Sequence, residues 1–360
     1  MTSCNGTHIY CLIAVRTQEH SEKKQGAEMH EIRQDLTTGQ WVIYATERRD
    51  RPVDVHRSRA ERTSLPSRDA HCPFCKAGET TVPEVVMELP SRDPNRWQTR
   101  VIRNKYPVLV PETKVRKHKD SLYETMTAYG LNEIIVEAPR HDADIPTMSP
   151  EEIRAIIETY HKRYVDIYAT DDNIRCIIIF RNRGERAGTS LLHPHSQLVA
   201  TAFVPGYISV QEQRARDYFE SRKSCLFCDM IGCERRSRAR VVFENEFFIG
   251  FVPFAAEVPF QVWILPKVHE SDFGGTSDQD RAALAEALRD ILRRLEDRVQ
   301  SPHYNYIIKS FSKQDLPAPH LHWYVEIRPR LVTAAGFEIG SGVRINHSIP
   351  EEDADILRST

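Results

Sequence analysis

LLHPHSQLVATAFVP, residues 191–205, is the stretch whose reading decides the fold. Taken as one extended strand, it sets His193, His195 and Gln197 on a common face, because alternate side chains of a strand share a side. Two imidazoles and an amide in an otherwise apolar strand make a polar row. Burial penalises such a row unless protein, metal or ligand satisfies it. Directly upstream, RNRGERAGTS, residues 181–190, brings two glycines, Arg181, Arg183 and Arg186, and two hydroxyls. Backbone N–H groups and guanidiniums gathered in such a loop suit phosphate oxygens. A lone HxH reads as a strand that bonds internally; the basic glycine loop and the cysteine pairs below point to chemistry instead.

Outward from this stretch the plan repeats. HCPFCKAGE places Cys72 and Cys75 in a knuckle-like turn, and the strand Leu131 to Glu137 runs on to His141. Ser149-Pro150-Glu151-Glu152 predicts a capped helix start, with Ile153, Ile156, Ile157, Tyr160 and Tyr164 following at helical spacing as its core face. The apolar strand Ile174 to Phe180 leads into the glycine loop. After Pro205 a charged linker reaches CLFC, with Cys225 and Cys228. Two strands follow, Phe247 to Val252 and Phe260 to Leu265, the second running to His269. A helix capped by Thr276 or Ser277 carries Leu284, Leu288, Ile291, Leu292, Leu295 and Val299, and the strand Tyr304 to Ile308 then precedes PHLHWYVEI with His320 and His322. His193 lies 52 residues after His141, and His320 lies 51 after His269. Two copies of this order, each preceded by CxxC, predict a duplication.

Each copy offers four metal ligands: Cys72, Cys75, His141 and His193 in the first, and Cys225, Cys228, His269 and one of His320 or His322 in the second. Cys₂His₂ is the closed tetrahedral shell of structural zinc, so two zinc ions per chain are expected. The redox alternative for CxxC needs a thiolate at a helix start, and neither pair is read as followed by a helical pattern. Cys4, Cys11, Cys176 and Cys233 have no partner pattern. Earlier in the chain, a turn at Thr38-Gly39 precedes a strand at Trp41 to Ala45, and residues 99–110 read as a strand interrupted at Asn104. Residues 1–28 are polar and irregular and are expected to be a disordered extension; a second methionine, Met29, follows them.

Composition bounds the rest. The 360 residues, 40% hydrophobic and 28% charged, suit a soluble globular protein of two ordinary domains, expected at 29–205 and 206–360. A net charge of −2 offers no bulk attraction to nucleic acid or anionic membrane, so any anion site must be local. No stretch reaches the ~18–20 apolar residues of a membrane span. Sparse cysteines in CxxC pairs suit a reducing compartment, and a cytoplasmic protein is expected.

On these motifs the chain resembles the galactose-1-phosphate uridylyltransferase family of the histidine-triad superfamily, including its plant-type ADP-glucose phosphorylase branch, from about Met29 onward. The resemblance implies an α+β fold of two pseudo-repeated histidine-triad-like half-barrels, an antiparallel sheet with helices packed on it, stabilised by zinc. It implies that His193 ligates metal, that His195 is the nucleophile, and that Gln197 contacts the transferred phosphoryl group. It implies nucleotide or phosphate contacts at Arg48, Arg51, Asn104, Asn182, Gly188 and Ser190, and a sugar contact from Glu338 in GFEIGSG, residues 336–342, across a homodimer interface. His195 would attack the α-phosphorus of a nucleotide-sugar, and a sugar 1-phosphate would then take the nucleotide. HLHW lacks the following glutamine, so the second half is expected to be non-catalytic. Ser196 and the second CxxC pair depart from the galactose enzymes toward the plant-type branch, which makes phosphorolysis of ADP-glucose the alternative. A zinc-stabilised nucleotide- or nucleic-acid-binding module is the other class. It would need a basic stripe with interleaved aromatics, and only residues 48–51 and 234–240 offer basic clusters.

Overall fold

The computed structural model describes residues 30–50, 65–75, 84–91, 96–111, 114–299 and 302–359. The expected extension at 1–28, with Cys4 and Cys11, lies outside the described residues, as does Arg51. In chain order the strands are β1 (His30–Gln34), β2 (Trp41–Ala45), β3 (Val85–Pro90), β4 (Trp97–Arg103), β5 (Lys117–Asp120), β6 (Tyr123–Met126), β7 (Gly130–Val136), β8 (Cys176–Arg183), β9 (His195–Thr201), β10 (Val241–Glu244), β11 (Phe248–Phe251), β12 (Val262–Pro266), β13 (Tyr304–Lys309), β14 (Tyr324–Pro329) and β15 (Arg344–Asn346). The helices are α1 (Pro150–Thr170), α2 (Gly206–Arg222), α3 (Leu226–Ser237), α4 (Asp278–Val299), α5 (Gly336–Ser341) and α6 (Pro350–Arg358).

Ten strands form one sheet in the order β10-β11-β12-β14-β13-β8-β9-β7-β4-β3. Every pairing within it is antiparallel. Outward from the central β8–β13 pair, β9, β7, β4 and β3 lie on one side and β14, β12, β11 and β10 on the other, so the order of one flank matches that of the other. The fold is thus mixed α+β, with helices packed on a large antiparallel sheet.

Strand alternation divides the sheet into two faces. On one, α1 and α4 pack side by side, burying Ile153, Ile156, Ile157 and Tyr160 of α1 and Leu284, Leu288, Ile291 and Leu292 of α4 against Ile135, Ile179, Leu198, Ile308 and Val325. Each such side chain contributes about 1.5–3 kcal/mol by burial. The helix starts follow their sequences. Ser149 caps α1, its hydroxyl accepting from Glu152 N while Glu152 accepts from Ser149 N, and Ser277 makes the same exchange with Asp280 ahead of α4.

The opposite face is covered differently in its two halves. Over β11, β12 and β14 lie α2 and α3, with Ile208, Ala215, Phe227 and Ile231 packed on Phe251, Trp263, Leu265 and Tyr324. The stretch expected to be a charged linker is therefore helix α2. Its buried positions are Ile208, Gln211, Glu212 and Ala215, too polar a set to give an apolar stripe. Over β4 and β7, among the described residues, lies the short 65–75 segment, with Cys72 and Phe74 packed on Ile102 and Val136.

The first described strands and the C-terminal elements meet on the second half. β15 pairs parallel with β2, beside β1. Arg33 of β1 reaches Glu351 of α6 at 3.0 Å, and the Tyr44 hydroxyl donates to the Ala256 carbonyl at 2.9 Å. Among the described residues no helix is long and apolar enough to cross a membrane.

Candidate active site and metal centres

Cys72 and Cys75 of the 65–75 segment, His141 after β7 and His193 before β9 bring one donor atom each to a common point, all within 4.8 Å of one another. Cys72 Sγ is 3.7 Å, and Cys75 Sγ 3.4 Å, from His193 Nδ1; Cys75 Sγ is 3.5 Å from His141 Nδ1. A tetrahedron with Zn–S of about 2.3 Å and Zn–N of about 2.05 Å has sulfur-to-nitrogen edges near 3.6 Å. The four atoms fit that ion. The His193 Nε2–H donates to the Ala138 carbonyl at 2.8 Å, which leaves the Nδ1 lone pair facing the thiols. Burial pushes the His193 imidazole down to about 4, so it is neutral at pH 7 as a ligand must be. Burial pushes the Cys72 thiol up, the direction a bound cation reverses.

The second cluster is Cys225, Cys228, His269 and His322. Cys228 Sγ lies 3.5 Å from His269 Nδ1 and 3.6 Å from His322 Nδ1, the same tetrahedral edges. His269 and His322 donate Nε2–H to the carbonyls of Ala318 and Pro266. One open alternative is decided here and one expectation is corrected. His320 is not in the cluster: its carbonyl faces Cys225 Sγ at 3.7 Å, and its buried Nε2 has no partner among the described residues. β14 begins at Tyr324 as β9 begins at His195, so the ligand two residues before the strand is His322, the counterpart of His193. Tyr324 therefore stands where His195 stands, and Glu326 where Gln197 stands. The expectation that no helix follows a CxxC pair fails, because Cys225 is the residue capping α3. The two thiols share one proton, so Cys228 holds the Cys225 thiol down, to about 4, while Cys225 holds the Cys228 thiol up, the direction a bound cation reverses.

The polar row of 191–205 is reorganised. His193 lies in the turn before β9 rather than in the strand, while His195 and Gln197 share the face opposite the α1–α4 helices. The two histidines are thereby separated by backbone conformation as well as by chemistry. The His195 Nδ1–H donates to the His193 carbonyl at 2.9 Å, which leaves its Nε2 lone pair unengaged by that bond. Burial lowers its pKa, keeping the imidazole neutral. Phe74, inside the CxxC turn, stands edge-on to His195 at 5.5 Å and to His193 at 5.8 Å. The metal cluster and the free imidazole thus share one packing partner.

Ser196 points the other way, into a buried network that the sequence did not announce. Glu137 accepts from the Arg181 Nε–H at 2.9 Å, from the Tyr160 hydroxyl at 3.1 Å and from the Ser196 hydroxyl. The Tyr160 and Tyr306 hydroxyls are 2.5 Å apart, and Arg181 donates to the Tyr304 hydroxyl at 2.6 Å. Arg181 and Arg183 also correct the reading of the glycine loop. Their guanidiniums pair with Glu137, Asp144 and Glu296 on the helix face. With a period of two, Asn182 between them takes the His195 face.

Gly188 has φ +88°, and a Cβ there would meet nothing nearer than Asn182 Nδ2 at 4.0 Å. The turn thus leaves open space above the Asn182 amide, with Ser190 exposed beside it. The remaining expected contacts come from other elements. Arg48 is exposed in a 3₁₀ turn after β2. Asn104 directly follows β4, its oxygen taken by Tyr106 N at 2.9 Å and its amide donating to Asn132 at 3.0 Å, which is why the expected strand to residue 110 stops there. Glu338 accepts from Ala335 N and Ile345 N, closing the exposed helix α5.

The family models for the N-terminal and C-terminal domains of galactose-1-phosphate uridyl transferase match residues 19–205 and 211–359. An ADP-glucose phosphorylase of Arabidopsis thaliana is 34% identical over 91% of this chain and 92% of its own. A galactose-1-phosphate uridylyltransferase of Thermotoga maritima is 29% identical over 92% of this chain and 99% of its own. Among solved structures, an Arabidopsis thaliana ADP-glucose phosphorylase with bound ADP-glucose superposes with a TM-score of 0.78 at 32% identity, over 92% of this chain and 99% of that one. A uridylyltransferase structure gives a TM-score of 0.70 at 27% identity, over 92% and 98%.

Proposed function

The chain belongs to the galactose-1-phosphate uridyl transferase family and is a nucleotidyltransferase, and from that premise we propose that it moves a nucleoside monophosphate between a nucleotide-sugar and a sugar 1-phosphate through His195. The observation that carries this reading is the hydrogen bond from His195 Nδ1–H to the His193 carbonyl, which presents Nε2 as the nucleophile. In the first step Nε2 bonds to the α-phosphorus and the bond to the sugar 1-phosphate oxygen breaks, its electron pair leaving with the sugar 1-phosphate. In the second step a phosphate oxygen of the acceptor attacks the same phosphorus and Nε2 departs. Gln197, on the face and strand of His195, donates to an equatorial oxygen; Asn182, the Gly188 turn and Ser190 hold the neighbouring phosphate.

Zinc at each Cys₂His₂ cluster, held by Cys72, Cys75, His141 and His193 and by Cys225, Cys228, His269 and His322, supplies structural charge and rigidity. Through Phe74 the first cluster orients the His195 ring. The two halves, 29–205 and 206–360, are read as histidine-triad-like repeats because their strand orders match. The second is non-catalytic because Tyr324 and Glu326 replace His195 and Gln197. Arg48, Arg51 and Asn104 are assigned to the nucleoside, and Glu338 to the sugar of a homodimer's partner site. The protein works in the cytoplasm, without nucleic acid.

Uridylyl transfer to a hexose 1-phosphate is the main reading. The second Cys₂His₂ cluster and the serine at position 196 favour a second, adenylyl transfer from ADP-glucose to phosphate. Incubating the protein with UDP-glucose or ADP-glucose, each with galactose 1-phosphate or inorganic phosphate, separates them. Exchange from UDP-glucose to galactose 1-phosphate supports the main reading, and release of ADP only from ADP-glucose and phosphate replaces it.

A further inference from the structure

The glycine loop of the first half is held in place by the second. Within the loop Ala187 N and Gly188 N bond back to Gly184 and Glu185, closing a single short turn. Thr189 adds two local bonds, from its N–H to the Gly184 carbonyl at 3.4 Å and from its hydroxyl to the Leu191 carbonyl at 3.0 Å, and three more bonds come from across the sheet. Arg186 N–H donates to His303 Nδ1 at 2.9 Å, Arg330 Nε–H donates to the Arg186 carbonyl at 3.3 Å, and Asn305 Nδ2 donates to the Ala187 carbonyl at 2.9 Å.

Asn305 does more than tie the turn. It pairs directly opposite Asn182 across the central β8–β13 seam, on the face that carries His195 and Gln197. Its Nδ2 also donates to Asn182 Oδ1 at 2.8 Å. A primary amide has two N–H donors, and Asn305 spends both here. With its oxygen so engaged, Asn182 has one orientation, in which Nδ2 faces the space above Gly188. A flipped Asn182 would set its oxygen toward that space and repel a phosphate.

We propose that Asn305 is a positioning residue for nucleotidyl transfer: from the half without a nucleophile, it locks Asn182 with its N–H donors toward the phosphate and fixes the turn that ends at Gly188. It touches no substrate. This rests on the assignment of Asn182 and Gly188 to the phosphate site.

A double-variant cycle on the full-length protein tests it, reading the single-turnover rate of nucleotidyl-protein formation from UDP-glucose and from ADP-glucose. Asn182→Ala should slow labelling by about 10²-fold, the loss of one transition-state donor. Asn305→Ala should slow it by roughly 10-fold, with thermal unfolding near that of the parent. In the Asn182→Ala background, adding Asn305→Ala should cost less than about 3-fold, because most of its effect passes through Asn182. Asn305→Asp, equal in size but offering only acceptors to Asn182 Oδ1 and the Ala187 carbonyl, should be slower than Asn305→Ala. Should Asn305→Ala not fold, Asn305→Ser enters the same cycle. If Asn182→Ala slows labelling while every folded Asn305 variant labels at the parent rate, or if the two substitutions multiply fully, the proposal is overturned. If Asn182→Ala itself is without effect, the phosphate-site assignment fails, and this proposal with it.

Discussion

Replacing Glu137 by glutamine removes one charge from the network behind the His195 strand. Glu137 is fully buried and the Arg181 side chain is 4% exposed, so neither group can turn to water. Burial alone would lower the Arg181 pKa, yet Glu137, Tyr304 and Asp144 hold it above its usual value. A glutamine can still accept from Tyr160 and Ser196 with its oxygen, but its amide then confronts the Arg181 Nε–H donor to donor. Asp144 remains beside Arg181 at 3.0 Å and moderates the loss. Breaking one partner of a buried pair costs about 3–5 kcal/mol. With an unfolding entropy of about 2.1 cal/mol/K per residue, 360 residues give about 0.8 kcal/mol/K, and Tm should fall by about 4–7 °C. The double variant Glu137→Met, Arg181→Met should lose less than the sum of the two single variants, since neither leaves the other charge stranded. Thermal unfolding followed by circular dichroism and urea titration measures this. A Tm within 1 °C of the parent for Glu137→Gln would refute the view of this network as a charged pair that the strand depends on.

Three further outcomes follow from particular contacts. His322→Ala should reduce bound zinc from two per chain to one, whereas His320→Ala should leave two; elemental analysis of metal-replete protein decides it, and equal loss in both variants would contradict the cluster. Cys72→Ser should destabilise the fold directly, because structural zinc contributes to folding; a chelator should then lower the Tm of the variant by less than it lowers the parent's, and an equal drop in both would contradict zinc at the first cluster. Burial opposes ionisation of Glu326, but Lys309 and Arg328 outweigh it and hold the carboxyl down to about 2. A folded pKa below the unfolded one stabilises above about pH 4.3 and loses that stability as pH falls toward 2, an effect of about 3 kcal/mol. Glu326→Gln should therefore differ most from the parent in urea midpoint near neutrality and least near pH 2; a difference that grows on acidification would reverse the sign.

The parts of the fold legible in sequence are those set by local chemistry. The Ser149 capping box and the α1 and α4 core stripes depend on short spacings, and the structure has them as read, whereas the first Cys₂His₂ set was legible from its CxxC pair and its repeat in the second half, and the structure brings its four donor atoms together. What was left open or misread depended on where a strand begins. HPH and HLH look alike, yet β14 starts two residues later relative to its histidines than β9 does, so His322 rather than His320 joins the cluster and Tyr324 takes the place of His195. Arg181 and Arg183 looked like phosphate ligands because a loop was read where the strand still runs, and alternation turns both guanidiniums to Glu137 and Asp144. Helix α2 escaped notice since its inward face carries Gln211 and Glu212. The Gln211 amide donates to the Tyr324 hydroxyl at 3.0 Å, and Glu212 accepts from Ser312 N at 2.6 Å. Long-range pairings such as β2 with β15, and Asn305 opposite Asn182, leave no local trace at all.

The central claim is that His195 Nε2 carries the nucleotide. Intact-mass measurement after brief incubation with UDP-glucose and, in parallel, ADP-glucose, followed by peptide mapping, tests it most directly. The account predicts the added mass of one nucleoside monophosphate, on His195 alone, absent from folded and zinc-replete His195→Gly. An adduct on His303, His320 or His322, or undiminished adduct and turnover in His195→Gly, would contradict it.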